Sequence, residues 1–282
     1  MDIAGTDITG ALKPLLPRHH WALRGLPPLP GSVMRLLRLL DDPSADIHQF
    51  SDVISTDPAF ACEVLRAANS PLFSLPCRID DLFQAITLIG VEQVRGMVLV
   101  AALSSRFQHA VRRESLLACW KHSLATAVLA AEMAPVFQLD PGAAYTAGLL
   151  HDLGRLVLMT AYPAKYAELI DRSFHESLEM NLIEEQFFEI NHCVAGAAIA
   201  CSWGLPISLA DVCLAHHDRL GENSTPLLQA VIVANRRAHT FGFQPVYEPK
   251  LPDVASNLPH WVSSEIGDTA TRLHATIDSY CT

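Results

Sequence analysis

Apolar residues recur along this chain at helical spacing. Val33, Leu36, Leu37 and Leu40 fall on one face, and the acid-rich stretch DDPSAD closes that helix. Asp46 is placed to cap a second helix that presents Ile47, Phe50 and Ile54. Asp57-Pro58 opens a third, with proline at the first helical position, where an N–H has no intrahelical partner to lose. Its apolar face is Ala61, Val64, Leu65 and Ala68, and Asn69-Ser70-Pro71 ends it. Asp80 or Asp81 starts a fourth, with Leu82, Phe83, Ile86 and Ile89 inward and Gly90 as a left-handed stop. Val91 then begins a helix predicted to run to about Phe107.

The second half repeats the pattern with longer elements. A helix over about Ser115 to Ala134 shows Leu117, Trp120, Leu124, Ala127, Val128 and Ala131. Further helices are predicted near Pro141–Leu150, Asp152–Thr160, Pro163–His175, Leu182–Ile190 and His192–Trp203. Gly204 stops the last of these, Pro206 restarts the chain toward His216, and a core helix follows from Pro226 to His239. No run of alternating β-branched residues and no Asn-Gly or Asp-Gly hairpin turn separates apolar runs. The fold class read from this pattern is all-α, in two helical subdomains, 26–112 and 113–240, with residues 109–114 as the joint. An N-terminal extension, 1–25, precedes them. A proline-rich linker and a C-terminal helix, 241–282, follow, the helix carrying Ile266, Ala270, Leu273 and Ile277 on one face.

Composition narrows the reading. Half of the 282 residues are hydrophobic and 18% are charged, enough apolar side chains for a large core. The formal charge of −10 argues against a broad nucleic-acid surface, and Arg95, Arg106, Arg112, Arg113 and Lys121 are the nearest thing to a basic stretch. Cys62, Cys77, Cys119, Cys193, Cys201, Cys213 and Cys281 form no C-x-x-C pair, which suits a reducing cytoplasm. The first twenty residues lack a signal-peptide core, and the apolar stretch from Met97 to Leu103 is too short to span a bilayer. Phosphate-binding glycine loops and G-x-S-x-G are absent. The small-residue run AGAAIA reads as close helix packing, and Trp120 and Trp203 as large core residues.

The histidines carry the candidate chemistry. His122 lies on the long helix, His151-Asp152 follows AAYTAGLL, His192 opens a helix rich in small residues, and His216-His217-Asp218 sits at a helix end. Imidazole and carboxylate together are what a divalent metal centre needs. Any one of them alone reads more readily as a hydrogen-bonded core residue than as a ligand.

The ordered set resembles the HDOD family, the output domains related to HD phosphohydrolases. The segments that carry the resemblance are LPPLPGSVMRLLRLLDDP, VISTDPAFACEVLRAANSPLF, IDDLFQAITLIGVEQVRGMVL, CWKHSLATAVLA, AGLLHDLGRLVL, INHCVAGAAIACSWGLP and AHHD, over about residues 22–220. The resemblance implies a C-terminal subdomain built as an HD-like helical bundle. It implies His122, His151 and Asp152 as candidate metal ligands. Asn235 stands where the catalytic relatives carry a fourth, acidic ligand. His192, His216 and His217 resemble the second-site histidines of the cyclic-di-GMP-hydrolysing branch, Arg155 replaces that branch's lysine, and its glycine-tyrosine-proline motif is missing. No catalytic residue is assigned.

Three outcomes are left open: one divalent metal ion bound without hydrolysis, a metal-free buried polar network, or a phosphohydrolase using metal-activated water. Asp211 or Asp218 as the missing carboxylate would favour the third. The resemblance implies a non-catalytic, cytoplasmic bacterial signalling protein whose partners are other signalling proteins or a small ligand, with no membrane insertion. No receiver, kinase or cyclase region is expected beside it, so input would arrive through a partner, a ligand or the two ends.

Overall fold

The structure, a computed structural model, describes residues 20–23, 35–36, 39, 46–56, 61, 64–65, 68–69, 79–91, 94, 114–218, 224–247, 271–275 and 277–278. The Asp57-Pro58 cap, the Ser70-Pro71 stop, most of the first expected helix, everything expected from Arg95 to Arg113, and Ile266 and Ala270 of the tail lie outside them. Among the described residues all regular structure is helical.

Local chemistry sets the first elements. Helix α1 is Ile47–Ser55. Asp46 caps it, accepting from the Gln49 amide at 2.9 Å while the Gln49 side chain accepts from the Asp46 amide at 3.0 Å. Helix α2 is Leu82–Ile89, capped by Asp81 through the Gln84 amide at 2.8 Å and stopped by Gly90 at φ +89°. The two helices pack together, and the His48 ring stacks on Phe83 at 4.5 Å. The Asn69 side chain accepts from the Ile79 amide at 2.8 Å and donates to the Leu65 and Ile79 carbonyls, each at 2.7 Å, so this sequence-conspicuous asparagine is a backbone tie.

The larger body follows: α3 Glu114–Met133, a 3-10 turn Ala134–Phe137, α4 Pro141–Leu150, α5 Leu153–Ala161, α6 Pro163–Glu176, α7 Met180–Phe188, α8 His192–Ser202, α9 Ile207–Ala215 and α10 Pro226–Thr240. Helix α4 keeps its expected bounds because Asp140 caps it at the Ala143 amide (2.9 Å) and proline follows. Helix α7 begins and ends two residues earlier than the apolar pattern predicts. Glu189 takes a left-handed φ of +58° and ends it, so Ile190 is buried in the connection instead.

Helix α3 packs against α4 and α10, α8 against α5 and α9, and α6 against α5 and α7. Two crossings are tight enough to demand glycine. A Cβ on Gly148 would lie 2.8 Å from the Ala127 Cα and the Thr126 carbonyl, and one on Gly154 would lie 2.0 Å from the His192 carbonyl. The first draws α4 onto α3, and the second draws α5 onto the start of α8, where the small-residue run sits. Trp120 is buried as expected, and Trp203 is half-buried. Leu273 and Ile277 of the tail helix are buried against the body, and Lys121 bonds Asp278 at 2.7 Å. Among the described residues no helix is long and apolar enough to cross a membrane.

Candidate metal centre

The two glycine crossings bring distant histidines to one point. His122 lies mid-way along α3, and His151 and Asp152 form the corner between α4 and α5. Arg155 is in the first turn of α5, His192 is the first residue of α8, and His216 caps α9 with His217 next to it. All of these except the half-buried His217 are buried.

Asp152 is the hub. Its Oδ1 lies 3.3 Å from His192 Nε2 and 3.3 Å from His216 Nε2. Its Oδ2 lies 3.2 Å from Arg155 Nη1, 3.7 Å from His151 Nε2 and 4.0 Å from His122 Nε2. Neither oxygen accepts a well-formed hydrogen bond.

The reason lies on the far side of each ring. A carbonyl only accepts, so the ring nitrogen facing it carries the proton. His122 Nδ1 donates to the Phe243 carbonyl at 2.7 Å, His151 Nδ1 to Gly148 at 2.6 Å, and His216 Nδ1 to Cys213 at 3.0 Å. Each Nε2 then turns a bare lone pair inward. His122 and His151 Nε2 face each other at 3.2 Å, a contact between two lone pairs that a proton or cation between them would satisfy. Orienting ring N–H groups on carbonyls is the usual outer support of metal-binding histidines. The ligand atoms of His122, His151 and Asp152 lie within 4.8 Å of one another, so this set fits one ion.

The other flank is built differently. His192 Nδ1 donates to Glu184 Oε2 at 2.6 Å, and the His192 amide donates to the same oxygen at 2.8 Å. The Tyr166 hydroxyl donates to Glu184 Oε1. Arg155 Nη2 donates to His192 Nε2 at 3.2 Å, and His217 Nε2 lies 3.0 Å from that same atom. The imidazole lone pair that a second ion would need is already engaged by a guanidinium. His192, Cys193, His216 and His217 still form a second compact group.

Burial and neighbouring charge set the protonation states. Burial depresses His122 well below the usual imidazole range, helped by His239 and His151, and depresses His151 to about 3. Burial likewise lowers His192 against the pull of Glu184, and lowers His217 with help from His216 and His192. Burial would raise Asp152, but Arg155 and the surrounding imidazoles more than offset it and hold the carboxyl well below its ordinary range. Glu184 is lowered in the same way, against its burial, chiefly by His192. Arg155 stays charged, because Asp152 outweighs the burial that opposes it.

The structure thus brings His122, His151, Asp152, His192, His216 and His217 into one pocket. Asn235 is buried on α10 with an Oδ1 that accepts no hydrogen bond. One turn later on the same helix the His239 ring lies 4.8 Å from the His122 ring, so this face of α10 addresses α3. Asp211 is half-buried and Asp218 exposed, and neither belongs to a ligand group among the described residues. Sequence reasoning missed Glu184, Tyr166 and His239. Glu184 could have been found: it stands four residues from both Met180 and Phe188, on the buried face of α7.

Residues 26–219 match the family model described as HDOD domain. An uncharacterized protein of Treponema pallidum is 24% identical over 227 residues, which cover 79% of this chain and 44% of that one. The chain therefore spans less than half the length of this curated relative. Among solved structures, an HDOD domain protein of unknown function from Geobacter sulfurreducens superposes with a TM-score of 0.73 at 25% identity, over 97% of this chain and 95% of that one. A Shewanella amazonensis protein provisionally named a phosphohydrolase gives 0.64 at 23%, over 92% and 95% of the two chains. A Marinobacter aquaeolei protein provisionally named a signal transduction protein gives 0.65 at 21%, over 98% and 60%.

Proposed function

The chain belongs to the HDOD domain family, and from that premise we propose that it is a non-catalytic regulatory protein of bacterial signal transduction. It acts by binding signalling proteins or a small ligand, and its histidine pocket holds at most one divalent cation. The observation that carries this reading is the buried Arg155 guanidinium, 3.2 Å from Asp152 Oδ2 and 3.2 Å from His192 Nε2. Among the described residues the ionised groups of the pocket are Asp152, Glu184 and Arg155, which leave one net negative charge while the histidines are neutral. One dication reverses that charge, and a second would stand against both the first and the guanidinium. Unit charges about 4 Å apart already repel by about 4 kcal/mol at the effective dielectric of protein sites. Asn235 supplies no carboxylate to compensate.

A bound ion would supply Lewis acidity. His122, His151 and Asp152 would hold it, joining the middle of α3 to the α4–α5 corner. The net charge of −10 favours protein or small-ligand partners over nucleic acid. Among the described residues Cys119, Cys193, Cys201 and Cys213 form no disulfide, which supports a cytoplasmic setting.

Elemental analysis of the purified protein, run beside a phosphodiester hydrolysis screen, tests the reading. The expected result is no more than one metal equivalent per chain and no turnover. A metal-dependent phosphohydrolase is the second reading, favoured by the intact grouping of His122, His151 and Asp152. Two metal equivalents with turnover, lost in a folded Asp152→Ala variant, would establish it instead.

A further inference from the structure

We propose that the C-terminal helical residues 271–275 and 277–278 are a positioning clamp for His122, acting through the turn that follows α10. That turn passes Gly242 at φ +92° and presents the Phe243 carbonyl to α3, where it accepts the His122 Nδ1 proton at 2.7 Å. The tail holds the turn from its other side. His274 Nε2 donates to the Phe241 carbonyl at 3.0 Å, and the His274 ring stacks on Phe243 with centroids 4.3 Å apart and planes 25° apart. Leu273 and Ile277, one helical turn apart, bury their side chains and seat the segment. Asp278 reaches α3 itself, bonding Lys121 at 2.7 Å, one residue before His122. One short segment therefore grips both the carbonyl that fixes the His122 ring and the stretch of α3 that carries it.

None of the clamp's residues falls within 26–219, the span of the family match. The tail thus gives this chain a handle on a pocket made mostly of family residues. With the tail seated, His122 keeps its proton on Nδ1 and aims Nε2 at Asp152, 4.0 Å away. With the tail released, the Phe241–Phe243 turn loses its outer support, the ring loses its fixed acceptor, and the lone pair loses its aim. Anything that lifts His274, Leu273 and Ile277 from the body would then weaken the ion site from outside the pocket. Only the cation arm of this proposal rests on the one-ion reading above.

The test uses the full chain with His274→Ala, His274→Phe and Ile277→Asp. Three quantities are read: the His122 ring tautomer from long-range proton–nitrogen NMR, the Mn²⁺ dissociation constant by calorimetry, and far-ultraviolet circular dichroism. His274→Ala is expected to replace the single Nδ1–H signature of His122 with a mixed tautomer. It should also raise the Mn²⁺ dissociation constant about tenfold, the lower end for loss of outer support at a ligand, with helicity unchanged. His274→Phe, which keeps the ring stack and loses the donor, is expected to shift both readings less. Ile277→Asp should reproduce the His274→Ala result. A wild-type protein that takes up no Mn²⁺ while His274→Ala still disturbs the tautomer removes the ion reading and supports the clamp. An unchanged Nδ1–H signature in folded His274→Ala and Ile277→Asp overturns the clamp. Should those two fail to fold, an unchanged signature in His274→Phe overturns it equally.

Discussion

The two flanks of the pocket use the same side chain for opposite ends. On one flank, His122 and His151 lean on backbone carbonyls and leave their inner lone pairs bare. On the other, His192 leans on an ionised carboxylate and gives its inner lone pair to a guanidinium. The first arrangement leaves lone pairs that could meet a cation, whereas the second already meets the Arg155 guanidinium. The lesson is that a histidine's role is read from what holds its outer nitrogen and what meets its inner one. Asp152 serves both flanks, so changes there should act most strongly, and changes confined to one flank should leave the other intact.

The largest effect is expected from Asp152→Asn in metal-free protein. It strips the charge that balances Arg155, and breaking a buried ion pair by removing one partner costs about 3–5 kcal/mol. Urea unfolding at neutral pH measures it. Adding Arg155→Met should restore much of the loss, because the stranded charge disappears with its partner. No recovery in the double variant would show that the guanidinium is balanced from elsewhere and that the flanks do not share Asp152.

Next is Gly154→Ala, which acts on the guanidinium flank alone. The new Cβ would fall 2.0 Å from the His192 carbonyl and 2.5 Å from the Gly196 amide, both backbone atoms that cannot turn aside. Overpacking of this severity costs about 3 kcal/mol. Thermal and urea unfolding should record that loss, while any binding of a single cation by His122, His151 and Asp152 in the surviving folded protein should weaken less than in Asp152→Asn. Equal weakening in both would mean that the two flanks form one rigid unit.

Glu184→Gln should cost about 2 kcal/mol, the range for hydrogen bonds to a charged group. The carboxylate accepts from the His192 ring, the His192 amide and the Tyr166 hydroxyl, and an amide offers one acceptor oxygen for those three donors. Ring-nitrogen NMR should show the His192 tautomer disturbed and that of His151 unmoved. A disturbed His151 would erase the distinction between the flanks.

How much of this was legible in the sequence depended on distance along the chain. Caps and stops are local, so Asp46 and Gly90 announced their helix ends, and of the two candidates Asp80 and Asp81 it is Asp81 that caps. The histidines of the pocket were legible as a set through the family resemblance. Arg155 was visible only as a substitution for lysine. Its position against His192 depends on how closely α5 crosses α8, which Gly154 permits and which no local pattern records. Glu184 was hidden beside exposed Glu185, a pair that looks like an ordinary solvated helix face until the helical period puts one of them inside. The left-handed Glu189 that ends α7 two residues early has no glycine or asparagine to signal it.

The smallest effect, counted per group and per pH unit, is the acid sensitivity of the metal-free protein. His122, His151, His192 and His217 are all lowered by burial. In the unfolded chain each titrates near its ordinary value of about 6.5. Above that value both states hold these rings neutral and the groups contribute no pH dependence. As pH falls below it, the unfolded chain takes up protons that the folded pocket refuses, so stability declines. The slope approaches about 1.4 kcal/mol per unit for each histidine. For His151 the decline ends only near pH 3, where the folded ring at last protonates. Asp152, lowered in the fold, adds a loss of the same sign that starts below the ordinary carboxyl value of about 3.9, where the unfolded carboxyl takes a proton that the folded one refuses. Urea midpoints measured between pH 7 and pH 5 should fall steadily, and Arg155→Met should shallow the fall by relieving the repulsion the guanidinium exerts on His192. A flat profile would mean that the folded pocket takes up protons as readily as the unfolded chain, so that by pH 5 the bare lone pairs of the carbonyl-backed flank would be protonated and closed to a cation.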